Sequence, residues 1–593
     1  LSKSEQPDPD ETTRPAWRPP RPSRLALHDL LPALQWMARY ERRDLQGDLL
    51  AGLIVAVMFI PQGMAYAVLA GLPPIVGLYA ATIPVLVYAL FGSSRQLAVG
   101  PVAIVSIITF EGVSRLAEPG SSEFIGLALS LALMVGVIQL AMGLLRTGFV
   151  VKFLSHAVIS GFTAGAAVII GFSQLTHVFG VPLNTSQTVF HTALSAVRNL
   201  GNAHLPTVTM GLGSIAALLL LRRFAPRLPG SIIVVVSATV ISFALSLNDA
   251  GIRVIGSVPG GLPRLSSPAF DLQTLEALLP VALTISFVGF MESIAIARSL
   301  AARDRTKVKP NQELTALGLA NLAASIFSAY PVTGGFSRTA VNYQAGARTG
   351  LASMVTAGLI MLTLLFFTRL FFYLPYAVLA AIIIVAVVNL IDLREARHLF
   401  TVKTVDGLTL TLTFAATLVL GIERGILVGV AFSLLVFIRR SAYPHTAELG
   451  HLPDEDVFRN VRRFPDAVTY PNTLILRIDA SLYFANIGFL EDRILSLVAH
   501  RPDLEWIVLD FSGVNDIDGV AIETLAGLIL TYRGQGIRFM FPGMKGPVRD
   551  VVARAGWDET FAEEMKPLSV RHALETAGLL PVRLSIPESS LVP

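Results

Sequence analysis

The sequence predicts an α-helical polytopic membrane protein of fourteen spans, seven followed by seven of opposite orientation, with a soluble α/β domain after them. Three observations carry that prediction. The chain of 593 residues is 53% apolar and only 15% charged, with a mean hydropathy of +0.63, far from the balance of a soluble domain. Apolar stretches follow one another at close spacing from about residue 49 to residue 438. Beyond residue 440 charges return at ordinary density, and short β-rich runs alternate with helical ones.

Composition also excludes. The net charge of +4 and the pI near 9.3 do not point to nucleic acid, because cytoplasmic loops account for the excess. Cysteine is absent, which rules out disulfide scaffolds and thiolate metal sites. H-E-x-x-H, G-x-S-x-G and the P-loop are missing too, so no motif suggests a hydrolase, an ATP-driven pump, a metal or a cofactor.

Taken in order, residues 1–45 read as a basic, Pro-rich arm ending in an amphipathic helix over 25–40 along the membrane surface. The membrane part is set at 46–440 and the soluble domain at 441–593. The apolar stretches are 49–70, 73–92, 100–113, 124–145, 150–172, 206–222, 229–247, 275–297, 311–329, 335–345, 351–372, 375–391, 404–421 and 424–438. With a cytoplasmic N-terminus, the inside loops hold seventeen Lys and Arg against six outside. That asymmetry favours an even number of spans with both termini cytoplasmic, in a bacterial-type inner membrane.

Two stretches, 100–113 and 335–345, are too short to cross a bilayer at roughly 1.5 Å rise per residue. Each is third in its set of seven and follows a small, Gly-containing lead-in: Gln96-Leu97-Ala98-Val99-Gly100-Pro101 and Thr333-Gly334-Gly335-Phe336. Seven is odd, so the second set runs through the membrane upside down relative to the first. Paired interrupted segments in two inverted halves point to a midplane binding site between them.

Arg338 gives that site its sign. An unpaired arginine in hydrocarbon costs roughly 2.5–3.5 kcal/mol even on the mildest scale, so it must face a cavity, a partner or an anion. A helix starting near Gly335 at membrane depth adds free N–H groups and the positive end of its dipole. An arginine snorkelling from a span end is the plainer alternative. In the first span, Pro61-Gln62-Gly63-Met64-Ala65-Tyr66 is expected to break the helix, with Gln62 and Tyr66 donating to the anion; a structural kink with Gly63 in close packing is the other reading.

Glu292, in the eighth span, is the second ionisable group at membrane depth. A carboxylate in low dielectric favours its protonated form, as a proton-coupling group must; a permanent pair with Arg338 is the competing reading. Gly161-x-x-x-Gly165 and Gly425-x-x-x-Gly429 read as helix-packing positions. In the soluble domain, strands at 473–478, 506–511 and 538–541 alternate with helices at 487–499, 517–532 and 546–555, and Asp516 or Asp518 caps the middle helix.

Together, Pro61-Gln62-Gly63-Met64-Ala65-Tyr66-Ala67, Gly100-Pro101, Ser337-Arg338 and Asp510-Phe511-Ser512-Gly513-Val514 resemble the SulP family of anion transporters over roughly residues 45–580. The resemblance implies a uracil-permease-like fold divided into core and gate, a cytoplasmic STAS domain and a homodimer. It places the anion between the ends of spans three and ten. Gln62 and Tyr66 come from span one, Val102 from span three, and Phe336, Ser337 and Arg338 from span ten; Gly100 and Gly335 open the two short helices.

Two departures from the family are informative. Sodium-coupled members are expected to carry an acidic residue in span eight with a hydroxyl one turn later, and here Glu292 is followed by Ile296, which favours protons. Bacterial STAS regulators carry a phosphorylatable serine directly after the aspartate at this helix start, and here Asp518 is followed by Gly519. The function implied is secondary active transport, not catalysis: proton-coupled symport of a small anion, by elevator-like movement of core against gate. The apolar wall of Tyr66, Val102 and Phe336 leans toward a dicarboxylate. Sulfate or bicarbonate, proton- or sodium-coupled, and a passive anion channel are the alternatives. The partners are then the anion, a proton and membrane lipid, with no nucleic acid.

Overall fold

Each of the fourteen apolar stretches contains a helix in the computed structural model, which describes residues 31–38, 40–149, 155–181, 189–225, 229–268, 271–388 and 390–580. Most of the expected N-terminal arm lies outside the described residues; within it Ala33–Met37 (α1) is helical. The chain divides into two units, Leu1–Ser433 and Leu434–Pro593.

The first unit runs α2 (Arg42–Leu69), α3 (Pro74–Tyr79), α4 (Ile83–Phe91), β1 (Val99–Gly100), α5 (Ala103–Val113), α6 (Ser122–Leu144), α7 (His156–Ser173), α8 (Leu175–Phe179), α9 (Val189–Arg198), α10 (Leu205–Phe224) and α11 (Gly230–Ala244). It continues through α12 (Leu272–Asp304), α13 (Pro310–Ile326), β2 (Thr333–Gly334), α14 (Phe336–Gln344), α15 (Leu351–Phe366), α16 (Tyr376–Val388), α17 (Leu393–Val402) and α18 (Thr404–Leu420) to α19 (Ile422–Ala442), which crosses the boundary. Among the described residues, eight helical segments are long and apolar enough to cross a membrane, and α5, α11, α15 and α18 are shorter apolar helices. Length and composition alone thus qualify eight crossings among the described residues, and the count of fourteen rests on the shorter apolar helices as well. The amphipathic α9 and α17 were not anticipated.

Packing repeats with an offset of seven spans. α2 lies against α15 as α12 lies against α6; α13 lies against α6 as α15 lies against α4; α10 lies against α16 as α18 lies against α7. Each pair turns into the other when a span is exchanged for the one seven places away, which is the two-fold repetition the odd set length implies. Contacts sort chiefly into one group of α2 to α6 with α12 to α15, and another of α7, α10, α16 and α18.

Close backbone approach comes from glycine. A Cβ on Gly77 of α3 would lie 1.9 Å from the Gly63 carbonyl oxygen of α2. Cβ atoms on Gly161 and Gly165 of α7 would meet α18 at Leu410 O (2.3 Å) and Thr417 Cβ (2.8 Å). Those on Gly425 and Gly429 of α19 would meet the same helix at Thr417 and Thr413, so both G-x-x-x-G motifs are contact surfaces for α18. The break expected at Pro61 is not there: α2 runs through it as one helix of 28 residues. Neighbouring helices can absorb the carbonyl a proline frees, so intramembrane proline need not end a helix.

Two carboxylates hold span ends. Asp48 of α2, fully buried, accepts from Arg348 N (2.7 Å), Thr349 N (3.1 Å) and Thr349 Oγ1 (2.5 Å). Glu313 of α13, also fully buried, accepts from Tyr88 OH (2.6 Å), Ser93 N (2.7 Å), Ser93 Oγ (2.6 Å) and Ser94 N (2.9 Å). Several donors per carboxylate offset its desolvation.

The second unit holds a five-stranded sheet in the order β4 (Val457–Asn460), β3 (Thr446–Leu452), β5 (Thr473–Ile478), β6 (Trp506–Asp510), β7 (Arg538–Met540), antiparallel about β3 and parallel from β5 to β7. Side-chain alternation covers both faces: Leu474, Leu476, Ile507 and Leu509 join the core shared with α20 (Ile487–Val498), α21 (Gly519–Arg533) and α22 (Gly546–Arg554). Ile475 and Val508 face the other way, toward Val570, Ala573 and Leu574. The hairpin β3–β4 was not anticipated. Asp518 is the cap of α21, accepting from Ala521 N (2.8 Å) and also from Phe484 N (2.9 Å).

Candidate functional site

The two short helices start from one another. β1 and β2 pair antiparallel, Val99 opposite Gly334 and Gly100 opposite Thr333, and Gly335 N donates to Ala98 O (3.0 Å). Strands that run in opposite senses send the helices that follow them apart, so the N-terminal ends of α5 and α14 are left beside the ladder. Their N-cap residues touch: a Cβ on Gly335 would lie 3.2 Å from Val102 Cγ1. Free backbone N–H groups and two positive dipole ends therefore converge here.

Arg338, in the first turn of α14, is 2% exposed. Its Nη1 donates to Pro101 O (2.6 Å) and its Cζ lies 4.1 Å from the centre of the Phe59 ring. Its Nε and Nη2 have no hydrogen-bond partner. Those two nitrogens form one edge of the guanidinium, the fork that matches two oxygens of an oxyanion. Gly100 makes the arrangement possible: its φ is +150°, and a Cβ there would lie 2.2 Å from Phe59 Cζ. A side chain at 100 would displace the ring that supports the guanidinium.

A polar network fixes the ladder. Ser293 Oγ accepts from Gly334 N (2.9 Å) and shares a hydrogen bond with Thr333 Oγ1 (2.8 Å), which also donates to Gly289 O (2.6 Å). Asn321 of α13 accepts from Val332 N (2.7 Å) and donates to Val332 O and to Gln139 Oε1 of α6 (each 3.0 Å). On the other strand, Ala98 N donates to Thr339 Oγ1 (3.0 Å) and Asn342 Nδ2 to Gln96 O (2.9 Å). Except for the Asn321–Gln139 bond between α13 and α6, these bonds tie the short helices, or the strands and lead-ins before them, to a neighbouring element or to each other.

The anticipated residues fall in different places. Gln62, Tyr66 and Val102 are buried, and Tyr66 and Glu292 lie within electrostatic reach of Arg338. Phe336 is 64% exposed and Ser337 is exposed too, so the apolar wall expected from Tyr66, Val102 and Phe336 is open on one side. Glu292 is half-buried; its Oε2 is out of solvent and has no hydrogen-bond partner, and no ion pair joins it to Arg338 among the described residues. Ile296 is buried. Phe59, Ser293, Asn321 and Gln139 were missed. The last three carry the same signal that singled out Glu292, a polar side chain inside an apolar stretch.

Comparison with known proteins gives the family of the chain. A model of the sulfate permease family matches residues 45–413, and one of the STAS domain matches residues 464–575. "Sulfate transporter 4.1, chloroplastic" of Arabidopsis thaliana is 39% identical over 573 residues, covering 93% of this chain and 82% of that protein. The murine Slc26a9 anion transporter in its inward-facing state superposes with a TM-score of 0.88 at 27% identity, covering 96% of this chain and 97% of the other. The transmembrane domain of the cyanobacterial bicarbonate transporter BicA gives 0.58 at 27% identity, over 67% of this chain and 98% of the other. The chain belongs to the sulfate permease family and carries a STAS domain behind its membrane helices.

Proposed function

We propose that this chain is a secondary active transporter of a small oxyanion, sulfate in the first place, bound between the ends of α5 and α14. A proton is the coupling ion and Glu292 the group that takes it. The observation that carries the reading is the partnerless Nε–Nη2 edge of Arg338, fixed by Pro101 and Phe59 beside two helix N-termini. A tetrahedral oxyanion offers oxygen pairs to that fork, and the helix ends supply further N–H donors. Gln62 and Tyr66 add an amide and a phenol from α2; Ser337 adds a hydroxyl in the first turn of α14. A carboxylate that is not locked in an ion pair with Arg338 supports a group that exchanges its proton during the cycle.

Sulfate takes the place of the dicarboxylate for two reasons. Relatives over most of the chain are named for sulfate, and the exposed Phe336 leaves no closed apolar wall for a carbon backbone. Bicarbonate is the second reading, favoured by the likeness to the BicA membrane domain. The division of the helices into two packed groups supports movement of one against the other, and loop charge supports cytoplasmic termini.

Uptake of labelled sulfate into liposomes with acid outside tests this. Sulfate should accumulate above its equilibrium level while the proton gradient lasts, with excess succinate a poor competitor. Steady anion current without accumulation would mean a channel, and accumulation of succinate instead of sulfate would overturn the substrate.

A further inference from the structure

A second cationic site lies apart from the fork of Arg338. The ends of α4, α12 and α14, with α1 and the starts of α13 and α15, enclose a cavity of about 740 Å³ that shares no residue with the proposed transport site. Arg95, Lys307, Lys309 and Arg348, all exposed at its mouth, line it against one carboxylate, Asp304, which is exposed as well. Asp304 is held by neutral donors, Tyr343 OH (2.7 Å) and Gln96 Nε2 (3.2 Å). Arg348 is paired with Asp44 (3.2 Å), whereas Arg95 and Lys307 have no carboxylate partner among the described residues.

The charge in this cavity is therefore not balanced from within. Clustered cations along a concave, solvent-exposed surface raise the local potential and favour a bound anion. The backbone is shaped to the same end: Arg305, at φ +53°, turns the chain sharply after the 33-residue α12 and brings Thr306 to Lys309 to the cavity wall. Trp36 of α1, 7% exposed, closes one side.

We propose that this cavity binds a phosphate-bearing anion that is not transported and that acts on transport through α14. The chemistry is shared by an anionic phospholipid headgroup and by a soluble pyrophosphate. The route to the transport site is short. Gln96 and Tyr343 both hold Asp304, the Gln96 carbonyl accepts from Asn342, and Asn342 and Tyr343 belong to the helix that carries Arg338. A phosphate near Asp304 repels its carboxylate and loosens that tie.

The test uses the full chain in nanodiscs of phosphatidylcholine. One arm adds phosphatidylglycerol to the lipid, the other adds pyrophosphate to the buffer. The unfolding midpoint should rise in at least one arm, and that arm names the source. The rise should persist in Arg338→Gln, which separates it from the transport site. In the double variant R95Q/K307Q the half-saturating concentration should increase roughly thirtyfold, at about fivefold per cation, with an unchanged midpoint in plain phosphatidylcholine. No rise in either arm, a rise equal in the double variant, or a rise abolished by Arg338→Gln overturns the proposal.

Discussion

Replacing Phe59 with leucine asks whether the guanidinium is fixed before the anion arrives. The ring is 1% exposed and lies 4.1 Å beneath the Arg338 Cζ. A desolvated cation–π contact is worth about 2 kcal/mol, but it exists with the anion bound or absent, so that energy belongs to stability. Affinity changes only through the freedom the arginine regains. Immobilising one rotamer-rich side chain costs about 0.5–1.5 kcal/mol, which is about two- to tenfold in half-saturation. Leucine leaves the bond from Nη1 to Pro101 in place and keeps the space beside Gly100. The assay is sulfate uptake at graded concentration, beside thermal unfolding in detergent. A lower midpoint with unchanged half-saturation would refute pre-organisation and reduce Phe59 to packing.

The other expectations follow the network outward. Ser293→Ala leaves the Gly334 N–H without its acceptor, a loss of about 1–3 kcal/mol at a buried group; the uptake rate should fall, and Ser293→Thr, which keeps a hydroxyl, should restore part of it. Glu292→Gln should leave sulfate binding nearly intact and remove the dependence of uptake on the proton gradient; pH-driven accumulation that survives would exclude the role. Asp518→Ala should destabilise the start of α21 by about 1 kcal/mol, visible as faster exchange at the Ala521 and Phe484 amides, with sulfate binding untouched.

What sequence reveals here depends on contrast. Arg338, Glu292 and the two Gly-containing lead-ins stand out because each is out of character with apolar surroundings, and the Gly-Gly step leads into a helix whose N-cap is Gly335. Phe59 has no such contrast: an aromatic in an apolar helix looks like core, and only the fold brings Gly100 against it and Arg338 above it. Asp48 and Glu313 sit near span ends, where sequence suggests solvent, yet backbone N–H groups from distant loops bury both. Pro61 misled in the opposite direction, because a helix buried around its proline, here from Pro61 to Ala67, keeps its course past it. Phe336 came to the site through the family resemblance and to an apolar wall through its character, and exposure is set by the direction α14 takes from β2. The hairpin β3–β4 escaped notice because its runs mix polar and apolar residues without the dense apolar character of β5 and β6.

The central claim is that the Nε–Nη2 edge of Arg338 receives the anion, and equilibrium binding of sulfate to purified Arg338→Gln tests it most directly. Two charge-assisted hydrogen bonds at about 1.5–3 kcal/mol each amount to at least a hundredfold loss of affinity. The account predicts that loss in a variant that still unfolds cooperatively. Sulfate affinity within twofold of the unaltered chain would contradict it.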